Sequence, residues 1–504
     1  MSEVKVRMPG IMFGRRKIFT TAEEINEQNV VSEVNKALVY HMTNAQEEEY
    51  LYWYRRGLQP ILSRTKQVRP DINNKVVVNT ANQVCVFKNG YFLTKPASYV
   101  SRKDDDSVIK KVSELNEYLY VSGKHQADNE IVNWFHTVGL GVGYVEPFTD
   151  DDIPARSFAL DPRCAFVVYS TAPGNDPVFG VNMVSVAGHV RFDVFTKKKV
   201  FRLEGGMTGK TTADVPVSAT AIVCAKVENN VIGEIPIIEY QYNDNRMSAF
   251  EAALSLMDEY NLIESNACDG IEQFIQSLCV GVNIKLPEGE TANTIRERGM
   301  IIFDSIGENK AEFKIITEQL DQTQTQLTLS RIYDQILEKC GVPSTSRDAA
   351  STSDNVGAVY LRSGWAVADT DCRNTEDLFK KANKLFDKVF LTILNKKKKL
   401  GLSVMDFDLC FVRNDMSNLL VKTQAAMNLK ELGFSPVLAL ERSGLSSDPQ
   451  KDVEVSKEYI EAKWLPKKDE EVEPNVPVTE EEPEKIEEQK PEGDVDGNGE
   501  QQRS

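Results

Sequence analysis

The string Glu204–Thr211 (EGGMTGKT) is the nearest this 504-residue chain comes to a phosphate-binding loop. A P-loop requires G-x-x-x-x-G-K-[ST], so that a glycine-rich backbone can wrap the phosphates. Glu204 stands where the first glycine belongs, a hairpin pattern precedes the string, and no helix start follows it. It therefore reads as a hairpin loop. The four histidines (His41, His125, His136, His189) are dispersed, with no H-E-x-x-H spacing, and no G-x-S-x-G occurs. His136, beside Trp134 and Phe135, reads as a packed core residue. Carboxylates are plentiful, but no pair is set apart as an acid/base dyad. The eight cysteines form no C-x-x-C and read as reduced thiols. The expectation is no catalytic residue, no metal ligand and no cofactor.

One polar stretch stands out. Residues 344–357 (STSRDAASTSDNVG) are small and polar throughout. Ser344, Thr345, Ser346, Ser351, Thr352, Ser353 and Asn355 offer hydroxyls and an amide, and Arg347 is the one cation. Such a set can touch phosphate without gripping it. Asp348 and Asp354 oppose Arg347, so the sign of the loop's net effect on an anion stays open. Helix–helix connections usually take 2–8 residues. A longer one is either a surface linker or a functional loop.

The flanking elements are strong. Ser248 and Glu251 make an S-x-x-E capping box. Phe250, Leu254, Met257, Tyr260, Ala267, Ile271, Phe274 and Leu278 then recur at helical spacing, predicting a helix to Cys279 of roughly 48 Å. Glu251, Asp258, Asp269 and Glu272 fall mostly on the face away from that stripe, as either a solvated face or an acidic wall. Strands are expected near Val282–Leu286, Met300–Phe303 and Phe313–Ile316, separated by charged turns that carry Arg296, Arg298, Glu308 and Lys310. A second helix over Leu320–Cys340 is stopped by Gly341-Val342-Pro343, and a third runs over Ala358–Leu394.

Upstream, residues 1–20 read as a mobile arm, Glu23–Tyr54 as a helix, and Ile72–Pro96 as an extended run, a helix and a turn at Asn89-Gly90. Residues 105–140 read as helical. From Leu140 to Tyr242 the hydrophobic period becomes two, the mark of an antiparallel meander. A strand over Val404–Val412 and short helices reach Leu465, and the Glu/Pro-rich remainder is expected to be disordered. The formal net charge is −17, which excludes the basic footprint usual in nucleic-acid binders. No apolar run reaches the ~18 residues of a membrane span.

Three segments carry a family resemblance. Gly233–Ser265 (GEIPIIEYQYNDNRMSAFEAALSLMDEYNLIES) resembles the signature of tailed-bacteriophage portal proteins of the Bacillus-siphophage-like family. Ile72–Tyr99 is similar to that family's N-terminal motif, and Phe411–Pro436 resembles its C-terminal crown segment. The resemblance implies an α+β portal fold. It divides the chain into a wing (1–246), stem helices (247–279 and 320–343), a clip (280–319), a tunnel loop (344–357), a long core helix (358–398), a crown (399–465) and an acidic tail (466–504).

It further implies a non-enzymatic, homododecameric ring at one capsid vertex, a conduit for double-stranded DNA in packaging and ejection. The implied partners are the terminase large subunit, then a head-completion (adaptor) protein, with scaffolding and major capsid proteins around the ring, and no membrane. The carboxylates Glu251, Asp258, Asp269 and Glu272 would line the stem, residues 344–355 would meet the DNA, and Arg296, Arg298, Glu308 and Lys310 would meet clip partners. Physically, each bore residue is repeated around the axis, and strong Lys/Arg–phosphate contacts would brake a sliding duplex. Another virion ring protein is the first alternative, and a DNA-translocating ATPase the second; against the latter stand the missing Walker glycine and the absence of a βαβ pattern.

Overall fold

A computed structural model describes residues 14–275 apart from 94, 104, 150–151, 187–188 and 208–218, short strands within 278–316, and residues 322–344, 364–411, 419–446 and 449–459 apart from 458. The chain mixes helix and strand. Helices α1 (Val30–Arg55), α2 (Thr80–Phe92), α3 (Asp106–Val121) and α4 (Lys124–Val138) lead into a β-rich part. There β3 (Leu140–Pro147), β4 (Ala155–Leu160) and β10 (Ile237–Gln241) form a three-stranded sheet with β3 in the middle. Strands β5 (Ala165–Ser170), β6 (Pro177–Val186), β7 (His189–Phe195), β8 (Lys199–Met207) and β9 (Ala219–Asn229) follow one another as an antiparallel meander. The Lys197–Lys199 hairpin closes where Thr196 N–H donates to the Lys199 carbonyl (2.9 Å).

The N-terminal segment departs from expectation. Residues 14–20 are built into the fold rather than free. Ile18–Thr20 (β1) pairs in parallel with β5, and Arg15 is buried. Helix α1 begins at Val30, not Glu23, because Asn26 Oδ1 accepts from the backbone of Gln28 and Asn29, and Asn29 Oδ1 from that of Asn26. These local bonds compete with helix formation. Asn89-Gly90 lies inside α2 instead of forming a turn, since buried Phe92 one step further on anchors the helix in the core. The run 105–140 is two helices, broken at Gly123 with φ +77°.

After the meander, one arm of the capping box forms, with Glu251 Oε2 accepting from Ser248 N–H (2.9 Å), while Ser248 Oγ accepts from Phe250 N–H (3.4 Å) instead of from that of Glu251. A 3₁₀ turn, Glu251–Ala253, precedes α5 (Leu254–Ile275). The helix therefore ends before Cys279, which sits in β11 (Leu278–Val282), paired with β14 (Glu312–Ile316). Between them, β12 (Ile284–Lys285) pairs with β13 (Asp304–Ser305). Met300–Phe303 lies outside the described residues. Helix α6 (Gln322–Lys339) packs back against α5, and α7 (Trp365–Lys397) is the long third helix. Strand β15 (Phe407–Cys410) pairs with β2 (Ser98–Ser101), and three short helices follow: α8 (Leu419–Glu431), α9 (Pro436–Ser443) and α10 (Pro449–Val455). The largest hydrophobic core joins α2, α4, the α5–α6 pair and α7 around Phe135, Phe250, Phe379 and Phe390.

Candidate functional site

The α5–α6 pair and the two feet of the 345–363 segment share one support, the strap formed by residues 72–79 and α2. Asn261, Ser265 and Asp269 lie four residues apart along α5, and all three are buried. Asn261 Oδ1 accepts from Val78 N–H (3.0 Å), Ser265 Oγ from Val76 N–H (3.0 Å) and Asp269 Oδ1 from Asn74 N–H (2.7 Å). Four helical residues rise ~6.0 Å and two extended residues span ~6.6 Å. The two repeats match, so one side-chain row satisfies alternate amides of an extended strand. That spares the strap backbone unpaired donors at a desolvated helix face.

The four acids expected on the open face of this helix share one side of it, where Glu251 and Asp269 are buried, Asp258 and Glu272 are half-buried, and each is engaged by the rest of the chain. Glu251, with a side chain 0% exposed, accepts from Arg15 Nη2 at 2.7 Å. Burial raises its carboxyl above the usual range, against the pull of Arg15. Asp258 accepts from Tyr54 Oη (2.8 Å), and burial again raises it. Asp269 meets Lys66 Nζ at 2.9 Å. Burial opposes its charge, yet the hydrogen bonds from Asn74 and Lys66 prevail and hold it below the usual range. Glu272 accepts from Asn74 Nδ2 (3.0 Å). The helical period located these carboxylates correctly relative to one another. It could not show that Arg15 and the strap, distant in sequence, cover them. The exposed positions over 251–272 are Ala252 in the 3₁₀ turn and Ser255, Glu259, Asn266 and Ile271 of α5, so Ile271 leaves the buried apolar stripe expected of it.

The loop feet are equally defined. Helix α6 ends in a Schellman motif: Val342 N–H donates to the Leu337 carbonyl (2.9 Å) and Gly341 N–H to that of Glu338 (3.1 Å). Gly341 takes φ +62°, as this motif demands. Ser344 Oγ donates to Asp334 Oδ1 (2.9 Å), turning the chain back along α6. The chain re-enters at Gly364 (φ +83°), where a Cβ would stand 3.8 Å from Pro343 Cα. The two ends of the segment therefore meet. Thr345, Ser346, Arg347, Asp348, Ser351, Thr352, Ser353, Asp354 and Asn355 lie outside the described residues, as do Arg296, Arg298, Glu308 and Lys310.

Helix α2 braces both feet. Lys88 Nζ lies 2.6 Å from Asp371 Oδ2, and Tyr242 Oη donates to the same oxygen at 2.7 Å. The Phe87 and Tyr91 rings flank Trp365 at 5.9 and 6.0 Å. Gln83 Nε2 donates to Tyr333 Oη on α6 (2.6 Å), and Tyr333 in turn packs near Tyr260 of α5 (6.1 Å). His136 is the core residue its neighbours suggested. It is buried, its Nδ1 is 2.7 Å from Asn89 Oδ1, and burial with nearby Lys88 holds its pKa far below the usual value. Among the described residues no cluster of His, Cys, Asp or Glu could hold a metal ion, and no helix is long and apolar enough to cross a membrane.

The described residues thus comprise two packed helices, the small strands β11–β14 and a long third helix whose N-cap, Gly364, lies beside the end of α6. A family model described as phage portal protein, SPP1 Gp6-like, matches residues 37–464, and the chain belongs to that family. The family is structural, and its members stand in the phage capsid. Comparison with curated proteins gives no match.

Proposed function

We propose that this chain forms the ring through which double-stranded DNA enters and leaves a tailed-phage capsid. The observation that carries the reading is the family match over 37–464, combined with a helix pair whose far end holds the small strands β11–β14. Residues 1–246 form the wing, α5 and α6 the stem, 280–319 the clip, and α7 with the residues to 465 the core and crown. The ring is a homododecamer at one vertex, in contact with scaffolding and major capsid proteins. The clip docks the terminase large subunit during packaging and a head-completion protein afterwards, through the charged positions Arg296, Arg298, Glu308 and Lys310. The chain is a conduit without catalysis of its own.

Residues 344–355 face the duplex in this reading. Loop ends held together with a polar middle suit a contact that must not grip, because every firm phosphate contact adds affinity. In this reading the stem contributes repulsion through the half-buried Asp258 and Glu272 and the exposed Glu259, while Glu251 and Asp269 are buried. Replacing Arg347 and the Ser/Thr residues of 345–353 by Ala removes almost no buried apolar area. Rings should form as in the wild type, while DNA retained per capsid falls several-fold in a packaging assay. Full-length packaged DNA in those variants would reduce the loop to a linker.

A further inference from the structure

We infer that Lys88, Asp371 and Tyr242 form a clasp that sets the direction in which the 345–363 segment leaves and re-enters the fold. The inference rests on the reading of that segment as the DNA-facing loop. Asp371 Oδ2 takes both Lys88 Nζ (2.6 Å) and Tyr242 Oη (2.7 Å). Lys88 also stands 5.5 Å from the centre of the Tyr242 ring. The three come from α2, from the residue after β10 and from the second turn of α7, so the clasp ties three separate elements at one carboxylate oxygen.

Its place matters more than its strength. A Cβ on Gly341 would lie 3.5 Å from Lys88 Nζ and 3.9 Å from Asp371 Oδ2, so the clasp packs directly on the left-handed residue that ends α6. Asp371 stands about two turns into α7 from Gly364, on the face toward the core, and Trp365 in the first turn packs on Phe87 and Tyr91 beside Lys88. One short helix therefore holds the exit foot through Lys88 and the re-entry foot through Lys88, Phe87 and Tyr91. The partners differ in exposure: the Lys88 side chain is 7% exposed and that of Asp371 41%. The lysine is thus committed to this contact, while solvent reaches the aspartate. Burial, with Asp371 next in importance, pushes the Tyr242 hydroxyl far above its ordinary pKa, so it remains a donor throughout the working pH range. Loss of the Asp371 charge leaves a buried ammonium unpaired next to Gly341, and the local response is for the feet to separate.

The test uses the full-length chain in capsid assembly with DNA packaging. Asp371→Asn keeps the shape and removes the charge. Tyr242→Phe removes one hydrogen bond and leaves the ion pair. For Asp371→Asn, ring yield should match wild type, with the thermal midpoint lowered by the unpaired buried ammonium. Amide hydrogen exchange over 340–344 and 364–368 should accelerate at least tenfold, and DNA retained per capsid should fall several-fold. Tyr242→Phe should give a smaller change in the same direction, and it serves as the measurement if Asp371→Asn does not assemble. Unchanged exchange at the feet, or faster exchange with full packaging while the loop alanine variants lose DNA, overturns the clasp and leaves the portal reading standing. Normal packaging in the loop alanine variants overturns the assignment of the segment as the DNA-facing loop, and with it the role given to the clasp.

Discussion

Arg15 shows how a single residue can reorganise a helix face. Its guanidinium reaches Glu251 at 2.7 Å and Glu47 at 3.3 Å, with no exposed side-chain surface. Glu251 is 236 positions away along the chain, a separation no local pattern reveals. The residues flanking Arg15 carry no helical or strand period, which is why they read as an arm. Next to it in the core, burial raises the Glu48 carboxyl to about 8, and Asp387, beside Tyr99 and Asn383, is raised to about 7 for the same reason. Unfolded carboxyls titrate near ~4. The folded state thus binds more protons than the unfolded from there up to pH 7 or 8, and stability must fall as pH rises through that window. The buried histidines His41 and His136 pull the other way at lower pH. Burial lowers His41 to about 4, and its unfolded value is ~6.5, so its stabilising effect grows with pH and is complete above the latter. Between pH 6.5 and 8 the acids are left to dominate. The thermal midpoint should fall across this interval, and Asp387→Asn or Glu48→Gln should flatten the slope. A wild-type profile that rises, or variants with the wild-type slope, would contradict the assignment.

The elements were far more legible than their partners. Helices α5 and α6 follow from apolar spacing, the end of α6 from Gly341-Val342-Pro343, and the meander from a period of two; all are present. What the period could not show is that the buried stripe running from the 3₁₀ turn into α5 changes from apolar (Phe250, Ala253, Met257) to polar (Asn261, Ser265, Asp269). Hydrophobic patterning counts a buried serine as exposed. The signal that could have found it is the match between polar residues at steps of four and the neighbouring Asn74–Val78 run, which has no strand partner of its own. Each of these side chains satisfies one strap amide, and removing one leaves a buried donor unpaired at a cost of about 1–3 kcal/mol. Ser265→Ala should lower stability by that amount in denaturant unfolding and speed amide exchange chiefly at Val76. If exchange at Val76 does not change, the zipper is not what holds the strap.

At the scale of the whole molecule, family and fold class were readable because they rest on long, strongly patterned segments. The three motifs at Ile72–Tyr99, Gly233–Ser265 and Phe411–Pro436 fall within the matched 37–464. Two of them meet in space: the strap belongs to the first, and Asn261 and Ser265 to the second. Their resemblance to one family thus has a physical counterpart in a shared joint. The site was less legible because, on the proposed reading, it is not a convergent polar pocket but a surface repeated around a ring axis, which a single chain would present only in part. The central claim is therefore tested most directly by electron cryo-microscopy of the full-length protein. The expected result is closed rings with an axial channel wide enough for a DNA duplex, in which the Pro343–Gly364 feet point toward the axis. Particles that stay monomeric at all concentrations and within assembled capsids, or rings whose axis is closed by folded protein, would contradict the proposed conduit.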